Sequence, residues 1–284
     1  MARAPTHRLD SPAEERSPFL LGIVIPLKSK STARSWAEVE NRLRVTVASM
    51  RGQSSPQFAA VIVGHERPDL ADINLPNLSF IPLDVPPPPR EADLLEQRRD
   101  NSRKKALGMR HLLAGHPITH WLNLDADDLL HEHFVETLSR MAPFDMAVVR
   151  NGYAYYPSLN RYRCLDGIDR FCGSTAITSD RWWIAPGTPE GRFFGGLDHT
   201  RLTQLAALRG VPAQTYPGRG VAYTMGHGDN LYRTLGRRAR VWLESRLLSR
   251  RCDAEFCRSF GLAAASLEAV PQDAAQSGHG EPLS

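Results

Sequence analysis

Cysteine is scarce: Cys164, Cys172, Cys252 and Cys257 are the only four in 284 residues, with no CxxC pair and no Cys/His zinc spacing. That pattern excludes a cysteine-based zinc module and a CxxC redox pair, and free thiols suit a reducing cytoplasm. Long apolar runs are missing too. FLLGIVIPL (19–27) is nine residues long, too short to span a bilayer. MARAPTHRLDSPAEERSP has no apolar centre of a signal peptide, so residues 1–18 are expected to be a flexible leader on a cytoplasmic protein. There is no strong charge imbalance, since the net charge is +4 with a pI near 9.0. Such a balance favours anionic ligands such as nucleotides and phosphates and does not by itself imply a nucleic acid partner. No internal repeat is present, and the 42% hydrophobic content is ordinary for a globular chain with a sizeable core.

What is there is an alternation of strand and helix patterns. FLLGIVIPL reads as a buried strand, and residues 35–51 place Trp36, Val39, Leu43, Val47 and Met50 at helical intervals. FAAVIVGH (58–65) and LSFIPLDV (78–85) read as further strands, followed by a stiff connector at Pro86–Pro89. Residues 91–115 form a helix with Gly115 as its expected cap, and ITHWLNL (118–124) is the fourth strand. Downstream, 145–165 suggests a hairpin turning at Pro157–Asn160, 170–178 another strand, and 199–210 a helix closed by Gly210. This rhythm belongs to an α/β sheet with helices on its faces, where ligands bind beyond the carboxyl ends of the strands. Pro26-Leu27-Lys28, Gly64-His65-Glu66 and an acidic cluster all lie at such ends.

The cluster is the most informative stretch. WLNLDADD (121–128) runs from apolar strand into Asp125, Asp127 and Asp128. Three carboxylates so close repel one another, and a cation is the expected relief. Carboxylate oxygens suit magnesium or manganese, which also hold phosphate oxygens and stabilise the charge on a departing diphosphate. His131 and His133 follow at two-residue spacing on an expected helix and read as surface residues.

IVIPLK, RKKALGMRHLLAG, WLNLDADD, FCGSTAIT and GGLDHTRL, spanning about residues 20–210 in this order, resemble the A-type glycosyltransferases of the large family 2-like group. The resemblance implies a Rossmann-like mixed sheet flanked by helices, in a single catalytic domain over 19–235. Residues 19–128 would form its nucleotide-binding half and 129–235 its acceptor half. It also implies a sugar donor activated by a nucleoside diphosphate, a UDP-sugar being the commonest, and an acceptor that is a carbohydrate or lipid-linked. Pro26, Leu27, Lys28 and Glu66 would line the nucleotide pocket, with Arg103, Asp125 and Ala126 on the donor. Asp127 and His227 would hold Mn2+ or Mg2+, with Asp128 close behind. Asp198, standing where the family has Glu-Asp, would be the catalytic base of an inverting attack. Directly ahead of HTRLTQL it is equally suited to cap a helix. Gly173, Ser174, Gly196 and Trp183 would shape the sugar and acceptor pockets, beside Trp182 and Phe193-Phe194-Gly195.

GRRARVWLESRLLSRR (236–251) carries six arginines against Glu244. It reads as a basic amphipathic helix within a helical extension over 236–265. Its apolar residues Trp242, Leu243 and Leu247 would pack on the domain, or the helix would touch an anionic membrane at the cytoplasmic face. Residues 266–284 have the composition of a disordered tail. Two other function classes stay open: a different phosphoryl-handling enzyme, and a carbohydrate-binding homologue without catalysis. Against the first, IPLKSKSTARS lacks the glycine-rich loop of nucleotidyltransferases, and the acids follow the fourth strand rather than the first.

Overall fold

The computed structural model describes residues 18–180, 206–208, 210–226 and 246–262. Leader residues 1–17 and tail residues 266–284 lie outside them, as do Asp198, His227, Gly196, Trp182, Trp183 and Phe193-Phe194-Gly195.

The first half follows the expected alternation. Strand β1 (Leu21–Pro26) is buried throughout, and helix α1 (Trp36–Arg51) starts at Ser35, whose side chain accepts from the Glu38 N–H. Next come β2 (Phe58–Gly64), β3 (Leu78–Pro82), α2 (Leu94–Gly115) and β4 (His120–Asn123). Asp93 caps α2 by accepting from the Glu96 N–H at 2.8 Å. The far end differs from expectation. Gly115 is the last helical residue and His116, in extended backbone, is the cap. After β5 (Leu129–Leu130) and α3 (Phe134–Met141) come β6 (Met146–Val148), β7 (Asn151–Tyr156), β8 (Arg161–Asp166) and β9 (Ala176–Ser179). The expected hairpin is β7–β8, turning through Pro157–Leu159 and Asn160 at φ 48°. Among the described residues the last elements are β10 (Ala213–Thr215), β11 (Arg219–Thr224), β12 (Arg250–Arg251) and α4 (Ala254–Ser259). Gly210, at φ 70°, ends the helical turn Ala206–Leu208: Val211 donates to the Ala206 carbonyl and Gly210 to that of Ala207.

The strands make two sheets, a mixed seven-stranded one ordered β10-β6-β9-β4-β1-β2-β3 and a five-stranded one ordered β12-β8-β7-β11-β5. In the larger sheet β4, β1, β2 and β3 run parallel, while β9 is antiparallel to β4. The carboxyl ends of β1, β2 and β4 therefore share one rim. The main core lies between α1, α3 and this sheet, with Ile23, Ile25, Leu43, Val47, Leu122 and Phe134 fully buried or nearly so. On the other face α2 packs against β1 and β2 at Gly108, where a Cβ would lie 2.6 Å from Val24 Cγ1. Only a glycine lets the helix come that near.

Two local expectations change. The basic helix does not reach 251, because Arg250 and Arg251 pair with Tyr162 and Arg161 as an edge strand of the second sheet. Leu247 does not pack inward but is 70% exposed. His131 and His133 precede α3 instead of lying on it, and the His131 ring meets Phe260 edge-on at 5.6 Å.

The second sheet depends on one close approach. A Cβ on Gly152 would stand 2.5 Å from the Val221 carbonyl oxygen, which is backbone and cannot swing aside. Gly152→Ala is expected to force β7 and β11 apart and lower stability by about 1–3 kcal/mol, read from the midpoint of urea denaturation.

Candidate active site

The acids occupy the turn that carries the chain from β4, in the large sheet, to β5, in the small one. The Leu124 N–H still donates to the Val24 carbonyl, so the parallel ladder runs up to the turn, which the Asp128 N–H closes onto the Asp125 carbonyl at 3.1 Å.

The three carboxylates separate by direction. Asp128 is fully buried. Its Oδ2 accepts from Ser174 Oγ at 2.7 Å and Cys172 Sγ at 3.1 Å, and its Oδ1 from the Thr224 N–H at 3.3 Å. Burial, and then the charges of Asp127 and Asp125, push Asp128 well above the usual carboxylate range, while Ser174 and Cys172 pull it back. Asp125 and Asp127 stay half-buried at the rim. The crowding expected to require a cation is thus partly relieved within the protein.

Ser174 is completely buried and does not face a pocket. Its hydroxyl donates to Asp128 and accepts from the Asp125 N–H at 2.9 Å, so it stitches both ends of the acidic turn together. Gly173 does reach the rim: a Cβ there would sit 3.1 Å from Asp125 Oδ2. Arg103 is exposed on the outer side of α2. Lys105, next to Arg103 and Lys104 on α2, is half-buried; burial pulls its ammonium below the ordinary value, and the Asp125 charge opposes that. Tyr223 of β11 also belongs here, its hydroxyl pushed far up by burial and then by Asp128.

The other side of the rim is built from the ends of β1 and β2. Pro26 and Leu27 are buried, and they contribute backbone wall instead of exposed side chains. The Leu27 carbonyl accepts from Lys104 Nζ at 2.8 Å. Lys28, Glu66 and Ala126 are half-buried, and Glu66 Oε2 accepts from the Lys30 N–H at 3.0 Å. Sequence reasoning missed Lys104, Lys105 and Tyr223. Lys104, Gly108 and Leu112, spaced four apart, form a buried stripe that would have marked the inward face of α2.

Among the described residues no three His, Cys, Asp or Glu side chains are arranged to hold a metal ion. Asp125 and Asp127 are the carboxylates at the rim once Asp128 is committed to its donors. Magnesium and manganese are commonly held by one or two carboxylates, with water and substrate phosphate completing the shell, so the donor set fits such an ion. Also among the described residues, no helix is long and apolar enough to cross a membrane.

No protein-family model matches this chain, and no curated protein matches it. Among solved structures it is similar to S. aureus TarS, at 12% identity and a TM-score of 0.46 over 73% of this chain and 37% of that one. A TarS structure of residues 1–349 gives 14% identity and a TM-score of 0.43 over 72% of this chain and 60% of that one. Rv0371c from Mycobacterium tuberculosis H37Rv, solved in complex with manganese, gives 14% and 0.38 over 81% and 100%. The chain thus spans less than two thirds of either TarS structure.

The acidic turn is predicted to depend on Ser174. Ser174→Ala removes a donor from a buried carboxylate and an acceptor from the Asp125 N–H, which is expected to cost about 1–3 kcal/mol in chemical denaturation. Ser174→Thr, which keeps the hydroxyl, is expected to lose less.

Proposed function

We propose that the protein is a metal-dependent glycosyltransferase that moves a sugar from a nucleoside-diphosphate donor, a UDP-sugar in this reading, to an acceptor hydroxyl. The observation that carries this reading is the shared rim. Asp125 and Asp127 stand at the end of β4, close enough to Lys105 for the Asp125 charge to act on its ammonium, and the ends of β1 and β2 stand beside them. A diphosphate is the anionic ligand to which paired carboxylates and a nearby ammonium are jointly suited, the former through a cation and the latter directly.

In this reading Asp127 holds Mn2+ or Mg2+, assisted by Asp125 through its water shell. When bound, the ion neutralises charge on the diphosphate. His227 is the further ligand we assign: it follows Thr224 by three residues, and the Thr224 N–H touches Asp128. Lys105 supports the phosphate oxygens, and Glu66, with the backbone at Pro26, Leu27 and Lys28, borders the nucleoside. Gly173 leaves room beside Asp125 for the sugar, and Trp183 and Gly196 complete the pocket. Asp128 and Ser174 hold the turn and do not touch substrate. Asp198 takes the proton from the acceptor hydroxyl as that oxygen attacks the anomeric carbon. The bond to the diphosphate breaks, and the configuration inverts. The acceptor class is a carbohydrate or a lipid-linked one, the latter placing the protein at the inner face of a membrane.

The test is calorimetry and turnover with UDP-sugars in the presence and absence of manganese. Wild type is expected to bind UDP in a manganese-dependent way, and Asp127→Asn to lose that dependence. Asp198→Asn is expected to keep UDP binding while kcat falls by about 10²–10⁴-fold. No metal-linked binding of any nucleoside diphosphate by the wild type would sink the assignment. A second arm substitutes Lys105→Met, expected to weaken UDP by more than it weakens uridine, because the charge it loses is aimed at phosphate.

A further inference from the structure

The segment 246–251, RLLSRR, presents every residue but one to solvent. Leu247 and Leu248 are 70% and 66% exposed, and only Ser249 is buried. The stretch is nevertheless held in place. Arg161 Nε donates to Ser249 Oγ at 2.7 Å, and Arg161 Nη2 donates to the Ser249 carbonyl. The Arg250 guanidinium lies 4.6 Å over the Tyr162 ring, and the Cys252 N–H donates to the Asn160 carbonyl at 3.0 Å. A single exposed leucine is ordinary on a protein surface. Two in succession on an anchored stretch, rimmed by Arg246, Arg250 and Arg251, form an apolar tip in a cationic collar.

Charge selects what covers it. No acid stands between Arg246 and Arg251. Asp253, the next one along the chain, already accepts from the Tyr162 hydroxyl at 2.7 Å and the Phe256 N–H at 2.8 Å. The complementary surface is therefore anionic, with an apolar layer within a side chain's length of its charges. A leaflet containing acidic phospholipid has that layering: the leucines enter the acyl boundary while the arginines stay at the phosphates. Another protein strand is a poorer match. Arginines on an edge strand obstruct pairing, and β12 is an edge of its sheet.

We propose that the segment 246–251 is a docking surface for an anionic phospholipid membrane. Its position suits the site. Arg250 pairs with Tyr162, Tyr162 with Tyr155, and Tyr155 with Thr224, whose N–H reaches Asp128. One row across the second sheet thus links the docking edge to the acidic turn over three strand spacings, about 14 Å. On the glycosyltransferase reading above, this holds the rim within reach of the head group of a lipid-linked acceptor. The membrane contact itself does not depend on that reading.

Vesicle sedimentation of the full chain decides this, comparing phosphatidylcholine alone with phosphatidylcholine containing phosphatidylglycerol, at low and at high salt. Wild type is expected to pellet with the anionic vesicles and to be released as salt rises. Arg251→Gln is expected to weaken that binding by about fivefold. The deciding variant is the double substitution Leu247→Ser, Leu248→Ser, which alters no charge. It is expected to weaken anionic-vesicle binding by more than about tenfold, with the midpoint of urea denaturation unchanged. Equal binding by this variant and wild type would overturn the proposal, since the attraction would then belong to net charge alone. No pelleting of wild type at low salt would also overturn it. A wild-type oligomer in sedimentation equilibrium without vesicles, dispersed by the leucine substitutions, would assign the face to a second copy of the chain instead. Manganese-dependent UDP binding, measured without vesicles, reads the donor site separately: its absence in wild type would remove the glycosyltransferase reading and leave the vesicle result standing.

Discussion

Asp128 is the constraint from which the site takes its shape. A carboxylate with no exposed surface is costly unless hydrogen bonds or a proton compensate for the lost water. Here three donors do so, and they come from two places in the chain: Ser174 and Cys172 ahead of β9, and the Thr224 backbone at the end of β11. The acid is therefore a rivet between the large sheet, which delivers the turn through β4, and the small sheet, which contributes β11. With Asp128 turned inward, Asp125 and Asp127 are left at the rim. A motif that looks like three equivalent ligands is divided by burial into one fastening group and two half-buried carboxylates at the rim.

The opposite wall obeys the same rule with different residues. Lys104 is almost wholly buried, and its charge is met by Asp100 and the Leu27 carbonyl. Buried ionic groups of this kind contribute little net stability, because desolvation offsets attraction. Their effect is geometric. They hold the end of β1 and helix α2 at one spacing. The rim is thus bounded on both sides by buried polar groups whose partners lie far apart in sequence.

Much of the fold was legible from pattern. The unbroken apolar runs of β1 and β2 announced strands buried on both faces, and the three- and four-residue spacing of Val39, Leu43, Val47 and Met50 announced α1. The hairpin at Pro157–Asn160 and the closure at Gly210 were readable because turn chemistry is local. The termini of α2 and the basic segment were not. Gly115 meets the composition rule for a cap, yet His116 fills the role. Arg250 and Arg251 continue a helical pattern but pair instead with β8, since an edge strand offers its backbone groups to any segment that reaches it.

The sequence alone determined that acids stand at the end of a buried strand beside two other strand ends, because periodicity and apolar runs are properties of the chain itself. Tertiary structure decided which acid turns inward, which of Arg103, Lys104 and Lys105 is buried, and that His65 sits between the Val85 carbonyl and Asp100. Consecutive residues on a helix point in different directions, and the preference among them is set by what packs opposite. Hydrogen-bond partners 35 to 96 positions away, as for His65 with Asp100 and Asp128 with Thr224, leave no local trace to read.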